Sequence, residues 1–224
     1  MDLKISTSTV QKETVRKLRE AVLVGHFKPG ERLVETSLAE QLGVSRPSLR
    51  EALRVLVAEH LVVHVPHRGP SVAVIDWPQA EQIYHTRTVL EGELASLAAQ
   101  HAGPEDLSHI EEALQRFDTA VRLADALQRV EATTDFYDAI ISASANEVLG
   151  GLIRGLLARI NLLRAQTMSS PGRAKHSARE LRTLFEAIAA RDRRSARAAA
   201  IAHVMAARQE AHDVFHAGAQ SAGA

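Results

Sequence analysis

The chain has 224 residues, of which 46% are hydrophobic, so it is long enough for one or two domains with a substantial core. Lysines and arginines number 27, as do aspartates and glutamates, and the absence of cysteine excludes disulfides, thiolate metal sites and cysteine nucleophiles. No apolar run approaches the length of a membrane span, and the first residues, MDLK, do not begin a signal peptide. We therefore expect a cytoplasmic protein without a membrane partner.

The N-terminal third is patterned as helices around a tight turn. The spacing of apolar residues over 10–22 predicts a first helix that ends near Gly25. A short helix over 35–42 then runs into Gly43, which can adopt the left-handed turn conformation. Ser45 is the expected N-cap of a second helix, and Pro47 fits its first turn, where a missing N–H costs nothing. This pattern is typical of a helix-turn-helix, here at about 35–54.

A helix-turn-helix places the start of its second helix in the major groove of DNA, where arginine can donate two hydrogen bonds to guanine. The alternative is an ordinary helical hairpin whose arginines are solvated. The segment 61–74 favours the first interpretation, because two β-branched runs around a Pro/Gly-rich turn predict a two-stranded wing. The predicted DNA-binding residues are Ser45, Arg46, Ser48, Arg50, Arg54, His67, Arg68 and Gly69.

Strand signals vanish from Asp76 onward. Helices are predicted at 76–101, 104–122, 124–144, 146–168, 173–190 and 192–216. The expected fold is therefore mainly α, with a winged helix-turn-helix domain over 1–75 and an all-α six-helix bundle over 76–217. A disordered tail is expected over 218–224. Residues 1–75 hold 11 basic and 8 acidic residues and the rest hold 16 and 19, a modest asymmetry in the direction that DNA binding requires.

Two segments near the turn carry a family resemblance: GHFKPGERLVE at 25–35 and LAEQLGVSRPSLREAL at 38–53. Together they closely resemble the N-terminal signature of GntR-family bacterial transcription regulators. The resemblance implies that Arg46 and Arg50 contact bases or phosphates, and that Arg68 and Gly69 form the wing tip. One family member carries a further DNA-contacting arginine early in the helix before the turn. This chain has Thr36 there, so its operator should differ.

The second half resembles the FCD domain, the ligand-sensing domain of the FadR subgroup. The matching segments are RTVLE at 87–91, FYDAI at 136–140, ASAN at 143–146, ELRTLFEAI at 180–188, RD at 191–192 and AH at 202–203. A count of six helices points to the VanR-like branch. The resemblance implies a DNA-binding regulator controlled by a small molecule.

Many FCD domains hold a divalent metal with one aspartate and three histidines. By the resemblance, the matching positions here are Thr133, Tyr137, Leu181 and His203. One imidazole without a carboxylate lacks the charge and the donors that a divalent cation needs, so we expect no metal and no cofactor. Thr133, Tyr137 and His203 could hydrogen-bond an effector directly, or His203 could be a packed core histidine.

Arg87 and Glu91 stand four residues apart and could form a simple helix pair, although by the resemblance Arg87 could instead approach an anionic effector. The sequence shows no nucleophile–base pair, no paired acid/base carboxylates and no phosphate-binding loop. Nothing in it therefore indicates an enzyme. The sequence thus predicts a repressor that binds a palindromic double-stranded DNA operator as a homodimer and responds to an anionic metabolite. The alternative is a DNA-binding dimer whose helical domain has lost sensing and only dimerises.

Overall fold

The computed structural model describes residues 9–167 and 172–221. The chain divides after Val74 into two compact units, whereas the sequence placed the boundary after residue 75. Among the described residues, no helix combines the length and the apolar character needed to cross a membrane.

The N-terminal unit contains α1 (Thr9–Leu23), α2 (Glu35–Leu42), α3 (Arg46–Ala58) and the strands β1 (Val62–Val65) and β2 (Gly69–Val72). The apolar face of α1 packs against α3, since its inward residues recur at helical spacing. The core of this unit is formed by buried aliphatic residues from all three helices and both strands, among them Val15, Leu18, Val22, Leu38, Leu49, Leu53, Leu56 and Val72.

The turn between α2 and α3 has the predicted geometry. Gly43 lies in the left-handed region with φ of 63°, and its N–H donates to the carbonyl of Glu40 at 3.1 Å. Ser45 is the N-cap of α3, and its hydroxyl accepts a hydrogen bond from the N–H of Ser48 at 3.3 Å. Pro47 occupies the first turn. The predicted helix-turn-helix is therefore confirmed.

The predicted wing is also confirmed. Strands β1 and β2 are antiparallel, with Val62 opposite Val72 and Val65 opposite Gly69. The turn between them is tight, and both His67 (φ 62°) and Gly69 (φ 87°) adopt left-handed backbone conformations. Arg32 pairs with β2 from its other side, which ties the loop before α2 to the wing.

The C-terminal unit is all-helical, as predicted, but its described residues form seven helices rather than six. They are α4 (Trp77–His101), α5 (Pro104–Arg122), α6 (Ala126–Ala143), α7 (Glu147–Arg154), α8 (Leu157–Thr167), α9 (Arg173–Ala189) and α10 (Arg193–Ser221). The helix predicted over 146–168 is interrupted at Gly155 and Leu156, which separate α7 from α8. The helix count therefore does not support the VanR-like branch, which stays a prediction.

The longest helix, α10, packs along α4, and α5 packs along α6, with α9 against both α5 and α10. Helix α10 continues past Gly218, where the sequence predicted a disordered tail, as far as Ser221; 222–224 lie outside the described residues. The helices surround an apolar core that includes Leu94, Ile110, Leu114, Phe117, Phe136, Leu184 and Val204.

Candidate DNA interface and buried polar cluster

The start of α3 presents the first group of predicted DNA-binding residues. Arg46 is exposed, and no hydrogen bond or ion pair holds its side chain within 9–167 and 172–221. The hydroxyls of Ser45 and Ser48 lie 2.9 Å apart. Ser45 thus caps the helix as well as lying on its exposed end, so its replacement would disturb α3 itself.

Two further arginines of α3 are exposed but ion-paired. Arg50 donates from Nε to Glu35 Oε2 at 2.7 Å, and Arg54 donates from Nη1 to Glu51 Oε1 at 2.6 Å. Ion pairs this exposed typically contribute only about 0–1 kcal/mol to stability. Both arginines can therefore exchange their carboxylate partner for a base or a phosphate at small cost.

The wing tip supplies the remaining candidates. His67 and Arg68 are exposed, and Arg68 is fixed through its backbone, whose N–H donates to the carbonyl of Val65 at 3.1 Å. Its side chain has no ion pair in the part of the chain that the structure describes. Gly69, without a Cβ and with open space around it, permits a close approach of the backbone to sugar and phosphate.

The four effector-binding candidates are all buried in the C-terminal unit. They belong to a larger set that we call the buried polar cluster, contributed by five helices of this unit. Its buried members are Arg87, Glu91, Thr133, Tyr137, Arg164, Arg173, Ser177 and His203, and its half-buried member is Glu180, whose side chain is 24% exposed. A buried polar group is costly unless it is hydrogen-bonded, so each partner in this cluster matters.

Arg87 and Glu91 form the helix pair that was one of the two predictions for them. Arg87 Nε donates to Glu91 Oε1 at 2.7 Å, and both side chains are only 1% exposed. Burial opposes ionisation of the two groups, but their mutual attraction prevails, so the pKa of Glu91 is lowered and that of Arg87 is raised. The Nη1 atom of Arg87 has no hydrogen-bond partner among the described residues.

His203 is held by a carboxylate that the sequence analysis did not assign a role. Its Nδ1 lies 2.8 Å from Glu180 Oε2, and Arg173 donates to both oxygens of Glu180 at 2.9 Å. Burial disfavours a charged Glu180, but the hydrogen bonds from His203 and Arg173 outweigh it and lower its pKa to about 2. Burial also lowers the pKa of His203, against the pull of Glu180. The imidazole is therefore neutral and donates from Nδ1.

Tyr137 lies between His203 and Arg164. Its ring centroid is 6.2 Å from that of His203, and the guanidinium carbon of Arg164 lies 5.1 Å above the ring. The hydroxyl of Tyr137 is buried and has no hydrogen-bond partner within 3.5 Å among the described residues, although it interacts weakly with the Glu91 carboxylate at a longer distance. Burial, followed by the negative charge of Glu91, raises the pKa of this hydroxyl well above its usual value. Tyr137 is therefore a protonated donor at neutral pH.

Two of the positions matched to metal ligands have no free donor. The hydroxyl of Thr133 donates to the carbonyl of Arg129 at 2.7 Å, and Leu181 is an apolar core residue. Within the described ranges, no three histidine, cysteine or carboxylate side chains are grouped so that they could hold a metal ion. With the one histidine already bonded to Glu180, these residues do not fit a divalent metal.

Sequence reasoning missed Arg164, Arg173 and Glu180. A signal existed for Arg164, which occupies the same helical stripe as the buried residues Ile160, Leu163 and Thr167. An arginine in a core stripe is unusual unless it is paired. Arg173 and Glu180 are seven residues apart and so share a helix face, but their link to His203 joins two helices and leaves no local pattern.

The N-terminal unit has the fold and the exposed arginines of a winged-helix DNA-binding domain, and the C-terminal unit is a helical domain with a polar centre. The family of bacterial regulatory proteins named gntR matches residues 10–72, and the FCD domain family matches residues 82–206. Since these matches span most of the chain, the protein belongs to the GntR family of transcription regulators, in the group that carries an FCD domain. Its matched families are regulators rather than enzymes.

Relatives that are similar in sequence agree with this assignment, and two solved structures are similar in fold. The HTH-type transcriptional regulator YdhC of Bacillus subtilis, itself uncharacterized, is 28% identical over 188 residues, which cover 84% of each chain. The regulator McbR of Escherichia coli is 32% identical over 143 residues, 64% of this chain and 65% of the relative. The solved structure of E. coli McbR/YncC matches 94% of this chain and 99% of its own with a TM-score of 0.78 at 24% identity. A putative GntR regulator from Rhodococcus gives 0.69 at 26% identity, over 97% and 99% of the chains.

Proposed function

We propose that this regulator is a repressor that binds a palindromic DNA operator as a homodimer and releases it when a small anionic effector binds the buried polar cluster. The observation that carries the DNA-binding part is the set of exposed arginines at the start of α3 and at the wing tip. Arg46 and Arg68 have no competing carboxylate in the described chain, and Arg50 and Arg54 are held only by exposed ion pairs. A cytoplasmic location goes with this proposal, because that is where a bacterial operator lies.

The homodimer follows from the number of contacts that one winged helix can make. A single recognition helix reaches only a few base edges, so its discrimination against other sequences is limited. Two copies related by a two-fold axis read two half-sites and multiply that discrimination. The operator should then be palindromic.

The DNA-binding part is tested by selecting bound sequences from random DNA and then measuring the affinity of the protein for the most strongly enriched sequence. Arg46→Ala and Arg50→Ala should each weaken specific binding by roughly 1–3 kcal/mol if each arginine makes a bidentate base contact. Arg122→Ala, which removes an exposed arginine from the C-terminal unit, is the matched control and should bind as the wild type does. Unchanged operator binding by both α3 variants would show that α3 is not the recognition helix.

The alternative to a sensing role is that the helical unit only dimerises. Sensing is favoured by the buried polar cluster, which keeps three arginines and several unpaired donors in the centre of the bundle. A metabolite screen by thermal stabilisation separates the two, because any ligand of the folded state raises the melting temperature. A stabilising compound should also release the operator. A screen without a single stabilising anion would favour the dimerisation-only alternative.

A further inference from the structure

We infer that Arg164 is the anion anchor of the helical unit, so that a guanidinium supplies the positive charge for which many FCD domains use a metal ion. The ligand class that fits is a small carboxylate bearing one negative charge. This inference rests on the proposed function, since it assumes that the helical unit binds a small molecule.

The first argument is the charge balance of the buried polar cluster. It contains three guanidiniums, those of Arg87, Arg164 and Arg173, against only two carboxylates, those of Glu91 and Glu180. His203 adds no charge, because it is neutral in this environment. The cluster therefore holds one positive charge in excess in the centre of the bundle.

The second argument is that both carboxylates are already engaged. Glu91 pairs with Arg87 at 2.7 Å, and Glu180 receives both hydrogen bonds of Arg173 at 2.9 Å. Within the described residues, no carboxylate oxygen lies within 4.0 Å of the Arg164 guanidinium. The four residues between the described ranges, 168–171, have the sequence MSSP and contain no carboxylate either.

Arg164 is only partly satisfied. Its Nη1 donates to Asn161 Oδ1 at 3.0 Å, its Nε has no partner, and the side chain is 4% exposed. Burial, and then repulsion by Arg87, lower the pKa of Arg164 to about 10, which leaves it charged at neutral pH. A buried charge without a counter-ion destabilises the fold, and an anion that pairs with it relieves that cost.

The donors around Arg164 match a carboxylate. Arg87 Nη1 is likewise buried without a hydrogen-bond partner, and Tyr137 Oη has only a weak contact with Glu91, longer than 3.5 Å. Both residues interact electrostatically with Arg164. Two free guanidinium donors, the weakly engaged Tyr137 hydroxyl and one excess charge suit two anionic oxygens that share one charge, and arginine binds carboxylates with a bidentate fork. These atoms are sealed from solvent, so an anion reaches them only when the helices part. Binding is thereby coupled to helix position, as a sensor requires.

The inference also accounts for the lost metal ligands. Thr133 and Leu181 cannot bind a cation, and His203 is committed to Glu180. A metal would add positive charge to a cluster that already has an excess. The residues present therefore favour an anion that is held directly by the protein.

The experiment uses the full-length protein after treatment with EDTA. Formate, acetate, lactate, pyruvate, benzoate and octanoate are added one at a time, each against its neutral amide or alcohol counterpart, and thermal unfolding is followed. At about 100 times its dissociation constant, a bound monocarboxylate should raise the melting temperature by about 5–10 °C. The neutral counterparts should have no effect, and EDTA should change neither the melting temperature nor the response.

Three variants identify the anchor. Arg164→Met removes the uncompensated charge, so the ligand-free protein should melt at the same temperature as the wild type or higher, and the response to carboxylates should vanish. Arg87→Met leaves the buried Glu91 carboxylate without its positively charged partner and should therefore lower the melting temperature. Arg122→Met is the exposed control and should change nothing. If Arg164→Met fails to fold, Arg164→Lys is used in its place. Arg164→Lys should keep the fold and weaken carboxylate binding at least tenfold, because lysine lacks the bidentate fork.

The inference is overturned if no monocarboxylate stabilises the wild type, if EDTA abolishes the stabilisation, if Arg164→Met keeps the carboxylate response, or if Arg164→Met melts as low as Arg87→Met. It is also overturned if neutral counterparts stabilise equally. DNA binding is measured separately through Arg46→Ala. Operator binding without any carboxylate response would thus contradict the anchor and leave the DNA-binding proposal standing, whereas loss of selective DNA binding would contradict that proposal alone.

Discussion

Arg68 and Arg46 are both exposed cations on the N-terminal unit, but their backbone settings differ. Arg46 begins a helix whose N-terminus can enter the major groove, while Arg68 sits on a tight turn between two strands. A helix start presents side chains to base edges, whereas a wing tip meets the sugar–phosphate backbone or the minor groove. The two arginines should therefore affect DNA binding in different ways.

Arg68→Ala should weaken binding to all DNA sequences by a similar factor. Neutralising one phosphate contact reduces the release of counter-ions, so the slope of log K against log salt should fall by about 0.9 for each lost contact. The measurement is binding at several salt concentrations, with operator and with random DNA of the same length. An Arg68→Ala variant that loses only operator binding, with an unchanged salt slope, would instead place Arg68 on a base.

The pair of Glu180 and His203 makes a prediction about pH. Both side chains have a pKa in the folded protein that lies below the ordinary values of 4.5 and 6.5. The unfolded chain therefore binds protons more readily, and stability is lost on acidification, first through His203 below about pH 6.5 and then through Glu180 between 4.5 and about 2. Arg87 and Arg173 contribute by disfavouring a positive imidazole.

The melting temperature should accordingly fall when the pH is lowered from about 7.5 to about 5.5, and His203→Gln should reduce this slope. The same variant should cost about 1–3 kcal/mol at the higher pH, because it alters a hydrogen bond between a buried side chain and the charged, half-buried carboxylate of Glu180. His176→Gln, an exposed position on α9, is the control. A His203→Gln protein with the wild-type slope would show that other groups dominate the pH dependence.

At the scale of elements, α7 makes a contact that only glycine allows. A Cβ atom on Gly150 would lie 2.5 Å from Cγ2 of Ile141, which is buried on α6, whereas a Cβ on the neighbouring Gly151 would meet nothing within 4 Å. The two glycines thus share a helix and differ in packing. Their comparison separates helix propensity from steric fit.

Gly150→Ala should destabilise the C-terminal unit by about 1–3 kcal/mol, because overpacking forces α6 and α7 apart. Gly151→Ala should stabilise it by roughly 0.5–1 kcal/mol, since alanine is the better helix former and has open space. Denaturant unfolding of the two variants measures both values. Equal effects of the two substitutions would mean that α7 does not pack closely on α6.

Elements with local signals could be predicted from the sequence, and those that depend on distant partners could not. Gly43, Ser45 and Pro47 each require a particular backbone conformation, so together they located the turn and the start of α3. The break at Gly155 has no such signal, because a single glycine is tolerated inside a helix. The buried polar cluster was found only in part, since Arg173, Glu180 and His203 meet across two helices and their pairing is decided by tertiary packing.

At the scale of the whole molecule, the proposed dimer predicts the spacing between the two half-sites of the operator. Two recognition helices related by a two-fold axis must reach major grooves that face the same side of the duplex, so half-site centres should lie near one helical turn apart, about 10–10.5 base pairs, or a multiple of it. Inserting about 5 base pairs between the half-sites turns one of them to the opposite side of the duplex.

Affinity for this spaced operator should fall to that of a single half-site, whereas insertion of about 10 base pairs should restore part of it. Electrophoretic mobility shifts with each DNA, together with the mass of the free protein in solution, provide the measurement. Arg46→Ala should weaken binding to the intact operator more than to an isolated half-site, because the lost contact counts twice in a dimer. A protein that is monomeric in solution and indifferent to the spacing would contradict the homodimer, and its recognition would then depend on the contacts of one winged helix alone.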